Sequence, residues 1–107
     1  MWHTIPIDKI PEEGKVKRVI MNGHKLCFAT INGFVYVLKD SCPHALASLG
    51  RGHLEGDYVV CPAHRLKFSM VTGKDKDGIG YECTIYETRF KDNAWQIKLS
   101  KDKFGFW

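Results

Sequence analysis

Short apolar runs alternate with breaks rich in glycine and asparagine along almost the whole chain, the pattern of an antiparallel β protein. Residues 16–20 and 24–30 flank Met21-Asn22-Gly23, and the second run meets residues 34–38 across Ile31-Asn32-Gly33. Asn-Gly at such a break supplies the positive φ angles of a tight turn, so the spacing predicts two consecutive hairpins. Tyr58-Val59-Val60 follows the Leu54-Glu55-Gly56-Asp57 turn, and residues 67–70 precede Val71-Thr72-Gly73. Residues 84–90 and 94–99 form a last pair of runs across Lys91-Asp92-Asn93, with Trp95, Ile97 and Leu99 on one face of the final strand. No stretch keeps a helical period for three turns. Single helical turns are predicted over residues 7–10, where Pro11 stops the turn, and around residues 45–49. Residues 74–80 read as an exposed loop.

A chain of 107 residues supports one domain, residues 1–107. Its 44% hydrophobic and 26% charged residues are those of an ordinary globular protein. No apolar stretch approaches the roughly 18 residues of a membrane span, and the opening Met-Trp-His-Thr-Ile-Pro-Ile-Asp does not read as a secretion signal. The expectation is a cytoplasmic protein with no membrane partner. The formal charge of +4 is dispersed, with Asp57, Glu82 and Asp92 set among the basic residues, so the sequence predicts a solvated surface and no nucleic-acid partner. Four cysteines in this setting point to metal or redox chemistry more than to disulfides.

Two short segments concentrate that chemistry. Cys42-Pro43-His44 is a Cys-x-His, Cys61-Pro62-Ala63-His64 is a Cys-x-x-His, and 16 residues separate His44 from Cys61. Two loops that each offer one thiolate and one imidazole can hold a metal centre between them. If the cysteines bind one iron and the histidines the other, the centre is a Rieske-type cluster. A tetrahedral zinc site is the competing use of the same four residues. Zinc fingers, however, place both cysteines in one hairpin and both histidines on a helix, whereas here each loop mixes the two types. Cys27 and Cys83 lie in or near strands and read as reduced core or near-surface residues, not ligands. His3, His24 and His53 read as surface histidines, and Trp2, Trp95 and the tail Phe104-Gly105-Phe106-Trp107 as packing groups.

With those motifs in place the chain resembles the Rieske ferredoxin family, whose pattern is Cys-x-His, a spacer of this length, then Cys-x-x-His. Gly52-His53-Leu54-Glu55-Gly56-Asp57 is similar to the turn that precedes the second ligand loop in many members, and Phe68 with Val71-Thr72-Gly73 is similar to a later family segment. The resemblance covers about residues 2–100. It implies an all-β fold: a Rieske-like antiparallel β-sandwich base (residues 1–40 and 70–107) carrying a small inserted cluster-binding subdomain (residues 41–69). It implies one [2Fe–2S] cluster per chain, bound by Cys42, His44, Cys61 and His64, with the two histidines as the exit point for the electron and Leu46, Leu49 and Leu66 around them.

The implied function is that of a soluble, monomeric ferredoxin. It would carry single electrons from a flavin-containing reductase to a terminal oxygenase or other redox enzyme, with no catalytic site of its own. A small Rieske-like subunit of an assimilatory nitrite reductase and a zinc-binding structural or interaction module are the alternatives. High-potential respiratory members link their ligand loops by a disulfide at positions that here are Ala47 and Ala63. They also place serine and tyrosine hydroxyls where this chain has Leu66 and Phe68, so a potential at the low end of the Rieske range is implied. Arg51, Arg65 and Lys67 are expected to be solvated and to raise it only slightly. Two departures stand out: Arg65 replaces the glycine common after the second histidine, and Asp77-Gly78-Ile79-Gly80 lacks the proline of the third cluster loop.

Overall fold

The computed structural model describes residues 1–43 and 46–99. In chain order its strands are β1 (Trp2–Thr4), β2 (Val16–Met21), β3 (His24–Ile31), β4 (Phe34–Lys39), β5 (His53–Glu55), β6 (Tyr58–Val60), β7 (Lys67–Ser69), β8 (Ile85–Tyr86), β9 (Thr88–Lys91) and β10 (Ala94–Lys98). They form three antiparallel sheets, ordered β1-β10-β9, β2-β3-β4-β8 and β5-β6-β7. The all-β class implied by the sequence is therefore the observed one.

Both Asn-Gly hairpins form, with Asn22 and Gly23 at φ 50° and 81° and Asn32 and Gly33 at 53° and 79°. The second turn is also capped from outside, because the Glu13 carboxylate accepts the N–H groups of Asn32 and Gly33. The β9–β10 turn achieves two positive φ angles without glycine, at Asp92 and Asn93. Asn and Asp tolerate that region better than other side-chain-bearing residues.

The central sheet is covered on both faces. Leu26, Phe28, Val35 and Val37 pack with Ile5, Ile97 and Leu99 in one core cluster. Cys27, Ala29 and Leu38, the alternate residues of the same strands, pack with Leu49, Val59, Phe68 and Met70 in a second. Strand β3 is consequently buried without a break from Leu26 through Thr30, which is why its sequence is an unbroken apolar run and not an alternation.

Three local expectations are corrected. Residues 84–90 are not one strand: β8 pairs with β4 and β9 with β10, so the chain passes from the central sheet to the outer one at Glu87. The helical turn expected near residues 45–49 is instead a 3₁₀ turn at Leu49–Arg51. Leu46 has φ +58°, which a right-handed turn cannot contain, and Ala45 lies outside the described residues. The expected turn over residues 7–10 is present as a 3₁₀ turn at Ile7–Lys9. The loop over residues 74–80 is exposed except at Asp75, which is buried and accepts the N–H groups of Ile79 (2.6 Å) and Gly80 (3.0 Å).

Candidate metal centre

Cys42 and Cys61 are both fully buried, and the loops they begin share one hydrogen-bond scheme. The Cys42 N–H donates to the Ala47 carbonyl (2.9 Å), and the Leu46 N–H returns to the Cys42 carbonyl (2.6 Å). In the second loop the Cys61 N–H donates to Leu66 (2.7 Å) and the Arg65 N–H returns to Cys61 (2.9 Å). Leu46 and Arg65, each four residues past its cysteine, both take the left-handed conformation at φ 58° and 61°. Pro follows the cysteine in both loops and fixes the same φ at the first step. Two turns built alike and anchored in one core can aim two thiolates at a shared centre.

The four cysteines belong to one buried cluster, and none is in a disulfide. Burial, then the neighbouring Cys42 and Cys61, push the Cys83 thiol up to about 12. Burial is also the leading cause of the rise at Cys27, followed by the charges of Asp40 and Cys83. Cys27 and Cys83 are thus held as neutral thiols behind the two loop cysteines, the state expected of core residues.

His64 is exposed, as befits a residue on the outer side of its turn. His44 lies outside the described residues, as does the aromatic tail Phe104-Gly105-Phe106-Trp107. Of the three leucines expected around the histidines, Leu46 is 79% exposed, Leu66 is half-buried, and Leu49 is instead sealed in the core. Ala63 is exposed and Ala47 half-buried, and neither has a thiol to link the loops.

Two electrostatic expectations change. Lys67 is not simply solvated, because it pairs with Glu55 at 2.7 Å. Hydrogen bonds from Lys67, and then from His53, hold the Glu55 carboxyl below its usual range. His24 is not a surface histidine: only 6% of it is exposed, and its ring meets Tyr86 edge-on at 5.8 Å. It sits on the core-facing side at the start of β3, where Tyr86 of β8 covers it. His53 remains exposed, and Trp2 and Trp95 are packing residues, Trp2 beneath the Arg89 guanidinium and Trp95 against Phe34 and Phe90.

One polar residue at the site was missed by sequence reasoning. Asp40, two residues before Cys42, accepts hydrogen bonds from the Arg18 Nε, the Ser48 hydroxyl and the Gly50 N–H. The only local signal is a carboxylate placed between the apolar end of a strand and a buried cysteine.

A family model for the Rieske [2Fe–2S] domain matches residues 2–91. The chain is 37% identical over 68 residues to the ferredoxin component of the naphthalene 1,2-dioxygenase/salicylate 5-hydroxylase systems of a Ralstonia species, covering 64% of each chain. The matched segment spans 60–64% of the length of the first curated relatives, which include a Pseudomonas putida naphthalene 1,2-dioxygenase ferredoxin component. Among solved structures, a chain in the complex of reduced oxygenase and oxidized ferredoxin in carbazole 1,9a-dioxygenase superposes with a TM-score of 0.74 at 27% identity, covering 82% of this chain and 92% of that one. A protein named as an NADH-dependent nitrite reductase small subunit from Mycobacterium tuberculosis superposes at 0.79 with 18% identity over 94% of this chain and 96% of its own, a likeness of fold alone.

Proposed function

The chain belongs to the Rieske [2Fe–2S] domain family, and we propose that within it this protein is a ferredoxin, a one-electron carrier and not itself an enzyme. The family's cofactor is a Rieske-type [2Fe–2S] cluster, with two histidines in place of two cysteines on one iron. In our reading Cys42 and Cys61 hold one iron, and His44 and His64 hold the other. Residues 41–69 act as the cluster-bearing subdomain of a base formed by residues 1–40 and 70–107.

The observation that carries this reading is the repeated turn. Two loops with the same hydrogen bonds and the same left-handed residue each bury a thiol at their start. Thiolate is the metal-ligating form of cysteine, and metal binding favours that form even at buried positions such as these. Cys42 and Cys61 therefore suit metal ligation better than surface chemistry. When bound, the cluster supplies a reversible one-electron site with near-neutral core charge, because two ferric ions, two sulfides and two thiolates sum to zero. The protein's part is to exclude water from the cysteine side and leave His64 at the surface.

We place the carrier between a flavin-containing reductase and a terminal oxygenase; the relatives it matches are ferredoxin components of dioxygenase systems. No helix among the described residues is long and apolar enough to cross a membrane. We infer a monomer working in the cytoplasm, a compartment that keeps thiolate ligands reduced.

Iron and sulfide analysis with electron paramagnetic resonance of the dithionite-reduced protein tests the reading. Two iron and two sulfide per chain with a rhombic Rieske-type signal are expected; bound zinc with no signal would overturn it. The ligand assignment is tested by His64→Cys, which should keep iron but lower the potential by adding negative charge to the centre. Rapid mixing of the reduced protein with an oxygenase of a related system should oxidise it within turnover time, and a failure with every such oxygenase would refute the partner class.

A further inference from the structure

We propose that Asp40 is a positioning residue for the cluster, locking both ends of the first ligand loop to the central sheet while holding a buried negative charge that lowers the reduction potential. The inference rests on the ferredoxin reading above. Strand β4 ends at Lys39, and the next side chain is only 1% exposed. Its Oδ2 accepts the Arg18 Nε at 3.1 Å and the Ser48 hydroxyl at 2.6 Å, and its Oδ1 accepts the Gly50 N–H at 2.6 Å. The Asp40 N–H donates to the Lys25 carbonyl at 2.9 Å. One residue thus joins β2, β3, the start of the loop that carries Cys42, and the segment where that loop returns.

The return segment has no slack. A Cβ placed on Gly50 would lie 2.8 Å from the Arg18 Cα, so the loop rests directly on β2. Arg18, Ser48 and Gly50 all donate to the carboxylate, and hydrogen bonds to an ionised acceptor are roughly twice as strong as neutral ones. Removing one partner from such a buried set leaves an uncompensated group, so the arrangement resists partial opening.

The charge is also unevenly screened. Arg18 is 36% exposed against 1% for Asp40. Water therefore weakens the field of the guanidinium more than that of the carboxylate, and the core feels a net negative charge. The same carboxylate contributes to the raised pKa of Cys27, a member of the buried cluster that contains Cys42 and Cys61. A negative charge there disfavours the arriving electron.

The test uses the loaded full-length protein and compares Asp40→Asn, Arg18→Gln and Ser48→Ala by potentiometric titration, with amide exchange at Gly50 as the loop readout. Asp40→Asn should move the midpoint up and Arg18→Gln should move it down. Ser48→Ala should leave the midpoint unchanged while Gly50 exchanges faster. Shifts of the same sign in Asp40→Asn and Arg18→Gln would show simple loosening and overturn the proposal, as would no shift in either. If Asp40→Asn does not retain iron, Arg18→Gln decides: a lowered midpoint supports the proposal, and an unchanged or raised one refutes it. Failure of the ferredoxin reading would show separately, as absence of iron and sulfide from the unmodified protein.

Discussion

Leu46 and Arg65 hold the same backbone position in two different loops. Each stands four residues after a buried cysteine, donates its N–H to that cysteine's carbonyl, and lies in the left-handed region at φ 58° and 61°. The turn demands a positive φ at the second position, which glycine would adopt without strain. Arg65 meets the demand with a side chain that has to bear the strain.

Arg65→Gly should therefore stabilise the protein. Relief of the left-handed conformation is worth about 1–2 kcal/mol, offset by about 0.5–1 kcal/mol for the greater freedom of glycine in the unfolded chain. Thermal unfolding of the loaded protein should show a higher midpoint for Arg65→Gly and a lower one for Arg65→Val. A lower midpoint for the glycine variant would mean that the arginine side chain makes contacts worth more than the strain.

Gly52 is needed for a different reason. Its φ of −88° suits any residue, but a Cβ there would stand 1.9 Å from the Val60 carbonyl oxygen. Backbone cannot move aside as a side-chain tip can, so Gly52→Ala should cost more than about 2 kcal/mol. Gly56→Ala, with φ +62° but open space around it, should cost only about 1 kcal/mol. Equal losses in chemical denaturation would contradict this separation of sterics from strain.

Asp75 acts on the acid side of the pH profile. Hydrogen bonds from the Ile79 N–H first, and from Gly80, hold the Asp75 carboxyl below its usual range. Its stabilisation is present above the unfolded carboxylate value, about 3.9, and is lost as pH falls through the lower folded value. Protection of the Ile79 and Gly80 amides, relative to their intrinsic exchange rates, should fall in that acid range, and Asp75→Asn should abolish that loss of protection.

Cys27 works at the other end. Burial pushes its thiol up, so its contribution is constant below the unfolded thiol value of about 8.5 and declines as pH rises beyond it, when the unfolded chain ionises and the folded one does not. Cys27→Ala should flatten the alkaline limb of the stability curve while leaving iron content unchanged. Loss of iron would instead make Cys27 a ligand.

Phe68 is sealed in the core beside the loop cysteines and Leu66 is half-buried, so neither can donate a hydroxyl hydrogen bond to the centre. The midpoint potential should lie below about +100 mV, in the lower part of the Rieske range. A potentiometric titration with a midpoint above that value would show that other donors compensate.

What the sequence determined by itself is what depends on a few adjacent residues. Asn22-Gly23 and Asn32-Gly33 specify their hairpins because the turn geometry lies within the dipeptide, and the two Cys-Pro segments announce a metal centre because ligand type and spacing are local. Tertiary structure decided everything that joins distant segments. The run over residues 84–90 contains no glycine, proline or asparagine to mark a break, yet β8 and β9 are claimed by different sheets, and only the partners β4 and β10 make the choice. His24 looks like a surface residue until Tyr86, far along the chain, covers it. Asp40 looks like an ordinary polar residue at a strand end until Arg18, Ser48 and Gly50 converge on it. The four cysteines divide in the same way: spacing singled out Cys42 and Cys61, but only the packed core shows Cys27 and Cys83 standing behind them, because burial is a property of the whole fold.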